Sequence, residues 1–524
     1  MTWSKICGRL DLNLVLVVLL TIFAFAPLTH PAFPQSHSGF LPVFNLYDLE
    51  GDLWGNWGWI PHVATGPDIV KGDGPLPYLL AELPRWLGIG GEQAIKGAYA
   101  LGFVVSGLSM YLLSKSFFGP VGGLLAAVVY VYLPFHLATV YVRGAFAEAW
   151  AFALYPLVFL CWDRYLSNLR AEWAVSAVLS YVVLASTQLG IALLFALVLV
   201  IYVAVVGRSR QARIRGLLLA VAGLGAALLL QVPALWRYGL PALSDEGFVQ
   251  HFVYPFQLLS SRWGYGASIP GWEDTLPLQL GLAATGLTLL VGILLLVERE
   301  PDPSLRRKAG FFVAAAAVMI ALVLPAASPL WQASRLSFAL RYPWQLLSLV
   351  GFAMAAASGA IMSLEQRLVR LSWQTVLVTL VVVASYTYLS PRYTDVEVGG
   401  SPVAVLGDEA VLLAYHREGP LRHGATVHLT LDWQGLRPME TDYTVFVHVV
   451  DQDGTIWAQR DSMPVGGERP TSSWQPGELI EDRYELMIDV EGPREGYAVE
   501  IGLYDQRTGT RLPLSDGATA VILG

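Results

Sequence analysis

The chain has 524 residues, of which 55% are hydrophobic and only 14% are charged. Soluble domains hold about 25% charged residues, so this composition excludes a mainly soluble protein and indicates that lipid surrounds most of the chain. From Pro391 onward there are 22 acids and 10 bases, a net charge of −12 against −8 for the whole chain. An acidic tail argues against binding to nucleic acid or to anionic lipid head groups.

Apolar blocks of membrane length, about 20 residues, recur through the first 390 residues. The first block follows Lys5 and Arg9 as a signal peptide would, but Pro27 directly after Ala26 disfavours cleavage and predicts a retained anchor helix. The turn within 172–207 is very short, which leaves the number of spans there open. We predict about eleven spans, at 12–28, 94–114, 120–139, 145–162, 172–187, 189–207, 216–235, 277–297, 309–325, 343–363 and 372–390.

The loop at 29–93, between the first two predicted spans, is long and rich in Trp, Tyr, Pro and Gly. It also carries a cluster of three acids, Asp48, Glu50 and Asp52. A connection between two spans needs only a few residues, and long loops are often functional. This loop is therefore the first indication of chemistry in the chain.

Basic residues concentrate in one alternating set of short loops, such as the one that holds Arg208, Arg210, Arg213 and Arg215. Basic loops stay in the cytoplasm. The sequence therefore predicts a multi-pass protein of the cell (plasma) membrane with a cytoplasmic N-terminus. The loops at 29–93 and 236–276 and the C-terminal segment are then extracytoplasmic.

After residue 390 the apolar blocks give way to alternating polar and apolar residues, as in 426–433 and 444–450. Asp451-Gln-Asp-Gly454 is a good hairpin turn, and a second hairpin is predicted between 498–504 and 511–513. We predict two domains, a helical membrane domain at 1–390 and an extracytoplasmic antiparallel β-sandwich at 391–524. Within the sandwich, Trp457 and Trp474 either stack on sugar rings or, as is commoner, pack in the core.

Several segments together carry a resemblance to a known family. They are Gly72-Asp-Gly-Pro-Leu-Pro-Tyr78, Tyr141-Val-Arg-Gly-Ala-Phe-Ala-Glu148, Phe256-Gln-Leu-Leu-Ser-Ser-Arg-Trp-Gly-Tyr-Gly266, Leu340-Arg-Tyr-Pro-Trp-Gln345, Pro470-Thr-Ser-Ser-Trp-Gln-Pro-Gly477 and Gly502-Leu-Tyr-Asp505. In this order they resemble bacterial multi-span membrane proteins of GT-C-like architecture, the 6-pyruvoyl-tetrahydropterin synthase-related membrane family. The tail segments look like the sandwich domain found on many GT-C-like glycosyltransferases.

The resemblance implies an enzyme that transfers a sugar from a polyprenyl-phosphate carrier, with a carboxylate of the first outer loop as general base. A base must take the proton of the acceptor hydroxyl, and arginine suits the leaving phosphate. Members of the family typically place a His-Asp pair early in this loop, but this chain has His37-Ser38. The nearest substitutes are Asp48, Glu50 and Asp52, with Asp48 first among them; the alternative is an interfacial acid that caps a helix.

Four charged residues, three near the predicted outer ends of the spans and one in the loop at 236–276, are candidate substrate-binding residues. Arg143 and Glu148 are five residues apart at the start of the fourth span, where they either bind phosphate and acceptor or form a structural ion pair. Arg341 beside Tyr342 is a second phosphate candidate or an interfacial anchor, and Arg262 is a weaker one.

The leading hypothesis is therefore a GT-C-like glycosyltransferase whose partners are the bilayer, a polyprenyl-phosphate-linked sugar and a glycan or lipid acceptor. The alternative is a non-catalytic protein of the same fold that binds or organises surface glycans, and a transporter is a third interpretation. The nine histidines are scattered and the two cysteines are far apart, so the pattern predicts no metal site and no pterin chemistry. The sequence identifies no cofactor.

Overall fold

The computed structural model describes residues 11–52, 70–238, 247–265, 268–297, 302–394, 402–407, 409–436, 438–475, 477–514 and 517–523, with the side chains of 48, 50–52, 234, 235, 237, 238 and 366 left aside. Within these ranges the chain forms two compact units. One unit comprises 11–33, 49–52 and 70–392, and the other comprises 34–48 and 393–523.

The first unit is helical. Every apolar block predicted as a span contains a helix, because membrane-length runs of Leu, Val, Ala and Phe satisfy their backbone polar groups only in this way. The α-helices of the described ranges are α1 Leu12–Phe25, α2 Leu41–Asp52, α3 Leu76–Arg85, α4 Gly91–Val131, α5 Pro134–Tyr141, α6 Phe146–Asn168, α7 Ala171–Ala185, α8 Leu189–Val206, α9 Arg210–Tyr238, α10 Pro255–Leu259, α11 Leu282–Val297, α12 Pro303–Val323, α13 Ser328–Ser334, α14 Leu347–Gly359, α15 Ile361–Leu364 and α16 Leu371–Ser385.

Seven helices of the described ranges are long and apolar enough to cross a membrane, and α12 with the segment Pro325–Ser334, bent by 83°, makes an eighth candidate. Two shorter apolar helices, α7 and α11, account for further predicted blocks. The chain is thus a mostly helical membrane protein, as predicted. The number of eleven spans stays a prediction.

Helix α4 contains two predicted spans because it reverses at Gly119, whose φ of 77° lies in the left-handed region. Beyond this point the chain runs back along itself. A Cβ added at Gly123 would lie 2.9 Å from the carbonyl oxygen of Tyr111, and one at Gly107 would lie 3.3 Å from Val131. Small residues permit this close approach of antiparallel helices.

At the end of the helical unit that carries the basic loops, an ion pair is buried between helices. Lys308 Nζ of α12 lies 2.8 Å from Asp163 Oδ1 of α6, and the hydroxyl of Tyr202 on α8 donates to the same oxygen at 2.7 Å. The Lys308 ammonium also lies 3.9 Å from the centre of the Phe117 ring. Because this ion pair contacts the four helices α4, α6, α8 and α12, it holds them in a fixed alignment at this end.

The second unit contains two four-stranded antiparallel sheets. The strands of the described ranges are β1 Phe33–Pro34, β2 Tyr393–Thr394, β3 Ala404–Leu406, β4 Ala410–Glu418, β5 Thr426–Gly435, β6 Tyr443–Val450, β7 Ile456–Ser462, β8 Leu479–Met487, β9 Ala498–Asp505 and β10 Val521–Leu523. One sheet has the strand order β3-β4-β5-β8, and the other has the order β10-β9-β6-β7. Between neighbouring strands, Trp433 of β5 pairs with Ile480 of β8, and Val445 of β6 pairs with Leu503 of β9.

Alternate residues of both sheets enter one apolar core, which includes Val447, Leu429 and Trp433. Trp474 also belongs to this core and is 1% exposed, as the packing interpretation predicted. The predicted hairpin between 498–504 and 511–513 is only partly confirmed. Arg511 forms an isolated bridge with Tyr504, and β10 is the strand beside β9, because Pro513 has no N–H to donate to a longer ladder.

The start of the loop at 29–93 belongs to this second unit. Gln434 on β5 is fully buried, and its side chain accepts from the backbone N–H of Phe40 at 3.2 Å and donates to the carbonyl of Ser38 at 3.4 Å. Gly477 approaches the same segment, since a Cβ there would lie 1.8 Å from the carbonyl oxygen of Ser36. Residues 434 and 477 therefore fix the path of 36–40.

Replacing Gly477 with alanine is expected to free the segment 36–40 from this contact. Gly477 and Gly509 have nearly the same left-handed φ, 75° and 72°, but a Cβ at Gly509 meets nothing within 4 Å. Gly509→Ala therefore reports the backbone strain alone, about 1–2 kcal/mol. We expect amide hydrogen exchange of peptides covering 36–46 to accelerate in Gly477→Ala and not in Gly509→Ala. Equal exchange in the two variants would show that the contact does not hold the segment.

Candidate active site

Three segments of the helical unit that are far apart in the sequence pack together beside the candidate site. The backbone N–H of Gly74 donates to the carbonyl of Thr187 at 2.7 Å, and that of Gly190 donates to the carbonyl of Val70 at 2.9 Å. A Cβ at Gly190 would lie 1.8 Å from the carbonyl oxygen of Ala339. The segment 70–76, the turn between α7 and α8 and the segment before α14 are thus packed backbone against backbone.

Arg143 and Glu148 form a two-pronged ion pair beside this junction. Arg143 Nη1 donates to Glu148 Oε1 at 2.9 Å, and Nη2 donates to Oε2 at 2.6 Å. Both residues are buried, at 8% and 2% exposure. Glu148 lies in the first turn of α6, where the helix dipole favours a negative charge. Their predicted proximity is confirmed by these distances, whereas their role in substrate binding stays a prediction.

The guanidinium of Arg143 is also covered by aromatic rings. Its central carbon lies 4.4 Å from the centre of the Trp344 ring and 5.6 Å from that of Phe135. Thr139 Oγ1 accepts a further hydrogen bond at 3.3 Å. Aromatic faces stabilise a cation that has lost its water, so the pair is held rigidly at the start of α6.

Asp73 is the second carboxylate of the site. Its Oδ2 accepts from the hydroxyl of Tyr78 at 2.8 Å, and its carboxylate accepts from the backbone N–H of Ala147 at the start of α6. Burial raises the pKa of Asp73 above its usual range; the nearby Glu148 acts in the same direction, against the Tyr78 hydroxyl and the charge of Arg341. A carboxylate with a raised pKa beside charged groups has the character of a general base.

Arg341 approaches the site from the segment before α14. Gln345 Oε1 accepts from the backbone N–H groups of Arg341 at 2.9 Å and Tyr342 at 3.1 Å, which fixes this turn. The ring of Tyr342 stacks on Trp344 at 4.9 Å between centroids. The Arg341 side chain is exposed and, within the described part of the chain, forms no ion pair. It is therefore available for an anionic ligand.

The loop between α9 and α11 joins the same cluster through Ser268. Trp344 Nε1 donates to Ser268 Oγ at 3.1 Å, and Ser268 Oγ donates to Asp274 Oδ2 at 2.7 Å. His251 Nδ1 lies 2.9 Å from the same hydroxyl. Burial raises the pKa of Asp274. This chain of hydrogen bonds orients the indole against which Arg143 packs.

The structure brings three of the predicted site residues together and leaves the others apart or undescribed. Arg143, Glu148 and Arg341 all lie around Asp73. Arg262 is exposed in the loop after α10; its carbonyl accepts from Gln279, and none of its described contacts is with this cluster. The predicted catalytic acids Asp48, Glu50 and Asp52 lie outside the described side chains.

Asp73 was not among the residues that the sequence singled out for catalysis. The signal that was available is the Gly-Asp-Gly-Pro sequence at 72–75, one of the segments that carry the family resemblance. Nothing local to this segment indicates that it would meet the turn at 186–190 or the start of α6. In the described ranges no three His, Cys, Asp or Glu side chains come together as metal ligands.

Gly74→Ala is expected to destabilise the site, because the added Cβ would lie 2.1 Å from the backbone oxygen of Ser186. Overpacking of this kind costs about 1–3 kcal/mol. Gly97→Ala is the matched control, since a Cβ on that residue of α4 meets nothing within 4 Å. Equilibrium unfolding of the purified protein in detergent measures both. A Gly74 variant as stable as the Gly97 variant would contradict the close packing of 70–76.

Comparison with known proteins identifies a family. The family model described as "6-pyruvoyl-tetrahydropterin synthase related domain; membrane protein" matches residues 74–391. This range includes Arg143, Glu148 and Arg341, and Asp73 directly precedes it. No curated protein matches the chain. The match covers more than half of the sequence and begins at the segment that forms the site.

Several solved structures are similar to this chain at low identity. The archaeal oligosaccharyltransferase AglB from Archaeoglobus fulgidus has 13% identity over 75% of this chain and 57% of its own, with a TM-score of 0.45. The arabinofuranosyltransferase AftD from Mycobacteria has 15% identity over 72% and 28%, with a TM-score of 0.46. ArnT from Cupriavidus metallidurans, solved with undecaprenyl phosphate, has 13% identity over 68% and 78%, with a TM-score of 0.32. The family assignment rests on the family model alone.

Proposed function

We propose that this chain, which belongs to the 6-pyruvoyl-tetrahydropterin synthase-related family of membrane proteins, is a glycosyltransferase that uses a polyprenyl-phosphate sugar at the extracytoplasmic face. The observation that carries the proposal is the placement of Asp73, whose carboxylate accepts from the Tyr78 hydroxyl at 2.8 Å and lies near Glu148 and Arg341. Burial raises the pKa of this carboxylate, as a general base requires. The resemblance of the ordered sequence motifs to GT-C-like proteins supports the choice of a sugar donor.

Asp73 is proposed as the general base and Arg341 as the cation for the leaving group. The acceptor hydroxyl gives its proton to Asp73 while its oxygen bonds to the anomeric carbon of the sugar. The bond between that carbon and the phosphate oxygen breaks, and the polyprenyl phosphate leaves with the electron pair. A guanidinium binds phosphate oxygens in a two-pronged manner, which suits the exposed Arg341. Arg143 and Glu148 are proposed to position the start of α6 and Trp344.

The cluster is proposed to face the outside of the cell. Glu148 and Asp163 lie on the same helix, and the fifteen steps from one residue to the other span about 22 Å. Asp163 marks the end where the basic loops lie, and such loops remain in the cytoplasm. The N-terminus is then cytoplasmic. The segment 391–524 is proposed as the extracytoplasmic domain that follows the membrane domain of 1–390.

Arg341→Gln tests the proposal together with the wild-type protein. We expect wild-type protein in liposomes to transfer sugar from at least one member of a panel of radiolabelled polyprenyl-phosphate sugars to cell-envelope glycans. Arg341→Gln should lower kcat/KM by about tenfold to a hundredfold, since a charged hydrogen bond to the leaving group is lost. Arg335→Gln removes a charge from the same segment six residues away and should leave transfer unchanged.

If the wild-type protein transfers none of these sugars, the proposal that it is an enzyme is wrong. The second candidate, a non-catalytic protein that binds surface glycans, is favoured by one feature: Glu148 already satisfies the two terminal nitrogens of Arg143. In that case we expect glycan binding without transfer, measured by retention of labelled envelope glycan on the liposomes. Asp48, Glu50, Asp52 and Arg262 remain predicted site residues in either case.

A further inference from the structure

An apolar groove runs along the outside of the helical unit. It lies between α8, α12 and α13, and its volume is about 600 Å³. Val198, Ile201 and Val205 line one side, and Gly310, Ala314 and Val318 line the other. Ile201 and Val318 are 56% and 59% exposed. Such a groove in a membrane helix bundle faces lipid chains.

The length of the groove suits a lipid chain. Along α12 its lining extends from Arg306 to Leu322. At 1.5 Å per residue these sixteen steps span about 24 Å, most of the roughly 30 Å hydrocarbon core of a bilayer. Gly310, about one turn from Arg306, leaves open space, because a Cβ built on it meets nothing within 4 Å. This part of the groove is therefore open to an extended chain.

The end of the groove that lies toward the basic loops is positively charged. Arg306 and Arg307 both line it and are exposed. Arg208 lies beside them, with Nη2 3.5 Å from Ser304 Oγ. Lys308 is paired with Asp163, whereas neither Arg306 nor Arg307 has an acidic partner in the described ranges. Two exposed arginine side chains at this end of the groove thus have no counter-ion from the described chain.

We propose that this groove is a binding site for an anionic phospholipid, with the phosphate on Arg306 and Arg307 and an acyl chain along α8 and α12. Charge complementarity selects an anionic head group over a zwitterionic one, because each arginine near an anionic lipid surface contributes favourably to its binding. The site is at the opposite end of α6 and α12 from Asp73 and does not depend on the proposed transferase activity.

The head-group contact is tested with the full-length protein in mixed micelles that contain either phosphatidylglycerol or phosphatidylcholine. Lipid that remains bound is counted by native mass spectrometry. We expect phosphatidylglycerol to bind in preference, and the double variant Arg306→Gln, Arg307→Gln to bind it about 30-fold more weakly. The control is the double variant Arg210→Gln, Arg215→Gln, which removes two exposed charges from the same end of the molecule but outside the groove. Its binding should stay within about twofold of the wild type.

The acyl-chain contact is tested by filling the groove. Gly310→Phe places a ring in the open space, and Gly286→Phe places the same ring on α11, where a Cβ also meets nothing within 4 Å. Phosphatidylglycerol binding should fall in Gly310→Phe and not in Gly286→Phe. Equal binding of the two lipids, or an undiminished Gly310→Phe, would overturn the proposal. So would free polyprenyl phosphate that displaces phosphatidylglycerol from the groove at equal concentration.

Discussion

Asp73→Asn is expected to lower sugar transfer by about 10²- to 10⁴-fold, the usual contribution of a general base. Asparagine is nearly the same size and retains a side-chain oxygen that accepts from the Tyr78 hydroxyl, so the local fold should persist while the base is lost. The matched control is Asp302→Asn, which replaces another helix-capping aspartate at the start of α12. Initial rates of transfer in liposomes measure both variants. An Asp73 variant within about threefold of the Asp302 variant would remove Asp73 from the mechanism.

The pH dependence of the reaction follows from the same residue. A general base works only when it is deprotonated, and burial raises the pKa of Asp73 above the ordinary value of about 3.9. Transfer should therefore fall as the pH drops through this raised pKa, at a higher pH than an exposed aspartate would require. A profile of log kcat/KM against pH measures the acid limb. The limb should disappear from the residual activity of Asp73→Asn.

Breaking the Arg143–Glu148 pair is expected to have the largest effect on stability. Arg143→Gln or Glu148→Gln alone leaves a buried charge without its partner, which costs about 3–5 kcal/mol. The double variant removes both charges and should be less destabilised than the sum of the two single variants. Equilibrium unfolding in detergent gives the interaction energy from the double-mutant cycle.

An exposed pair provides the control for this cycle. Arg170 and Glu172 lie 3.1 Å apart, but their side chains are 66% and 56% exposed. Solvent screening limits such a pair to about 1 kcal/mol or less. Strict additivity at Arg143 and Glu148, with an interaction energy no larger than that of the exposed pair, would contradict the buried ion pair.

The helices of the first unit were predictable because each predicted span is an apolar block long enough to cross a bilayer, and lipid enforces helical backbone there. The reversal at Gly119 was predictable for a related reason, since Gly119-Pro120 interrupts one long apolar region. The alternating residues of 426–433 and 444–450 likewise predicted β5 and β6. These features depend on local composition, which a single sequence displays.

The Arg143–Glu148 pair was also predictable, because five residues and one turn separate the two charges. Asp73 was not, because its environment comes from residues far away in sequence. The backbone of 70–76 is held by the turn at 186–190, and the start of α6 supplies the N–H of Ala147. The hydrogen bonds between Gln434 and the segment 36–40 join residues almost 400 positions apart in the sequence, and no local pattern indicates them.

A single-turnover experiment determines whether Asp73 is the base of an outward-facing transferase site. Wild-type protein and Asp73→Asn are mixed with the same labelled polyprenyl-phosphate sugar and acceptor, and the labelled product is quenched and counted with time. We expect one equivalent of product from the wild type and a rate at least 100-fold lower from Asp73→Asn at equal donor binding. Equal rates from the two proteins, or no product from the wild type with any donor, would contradict it.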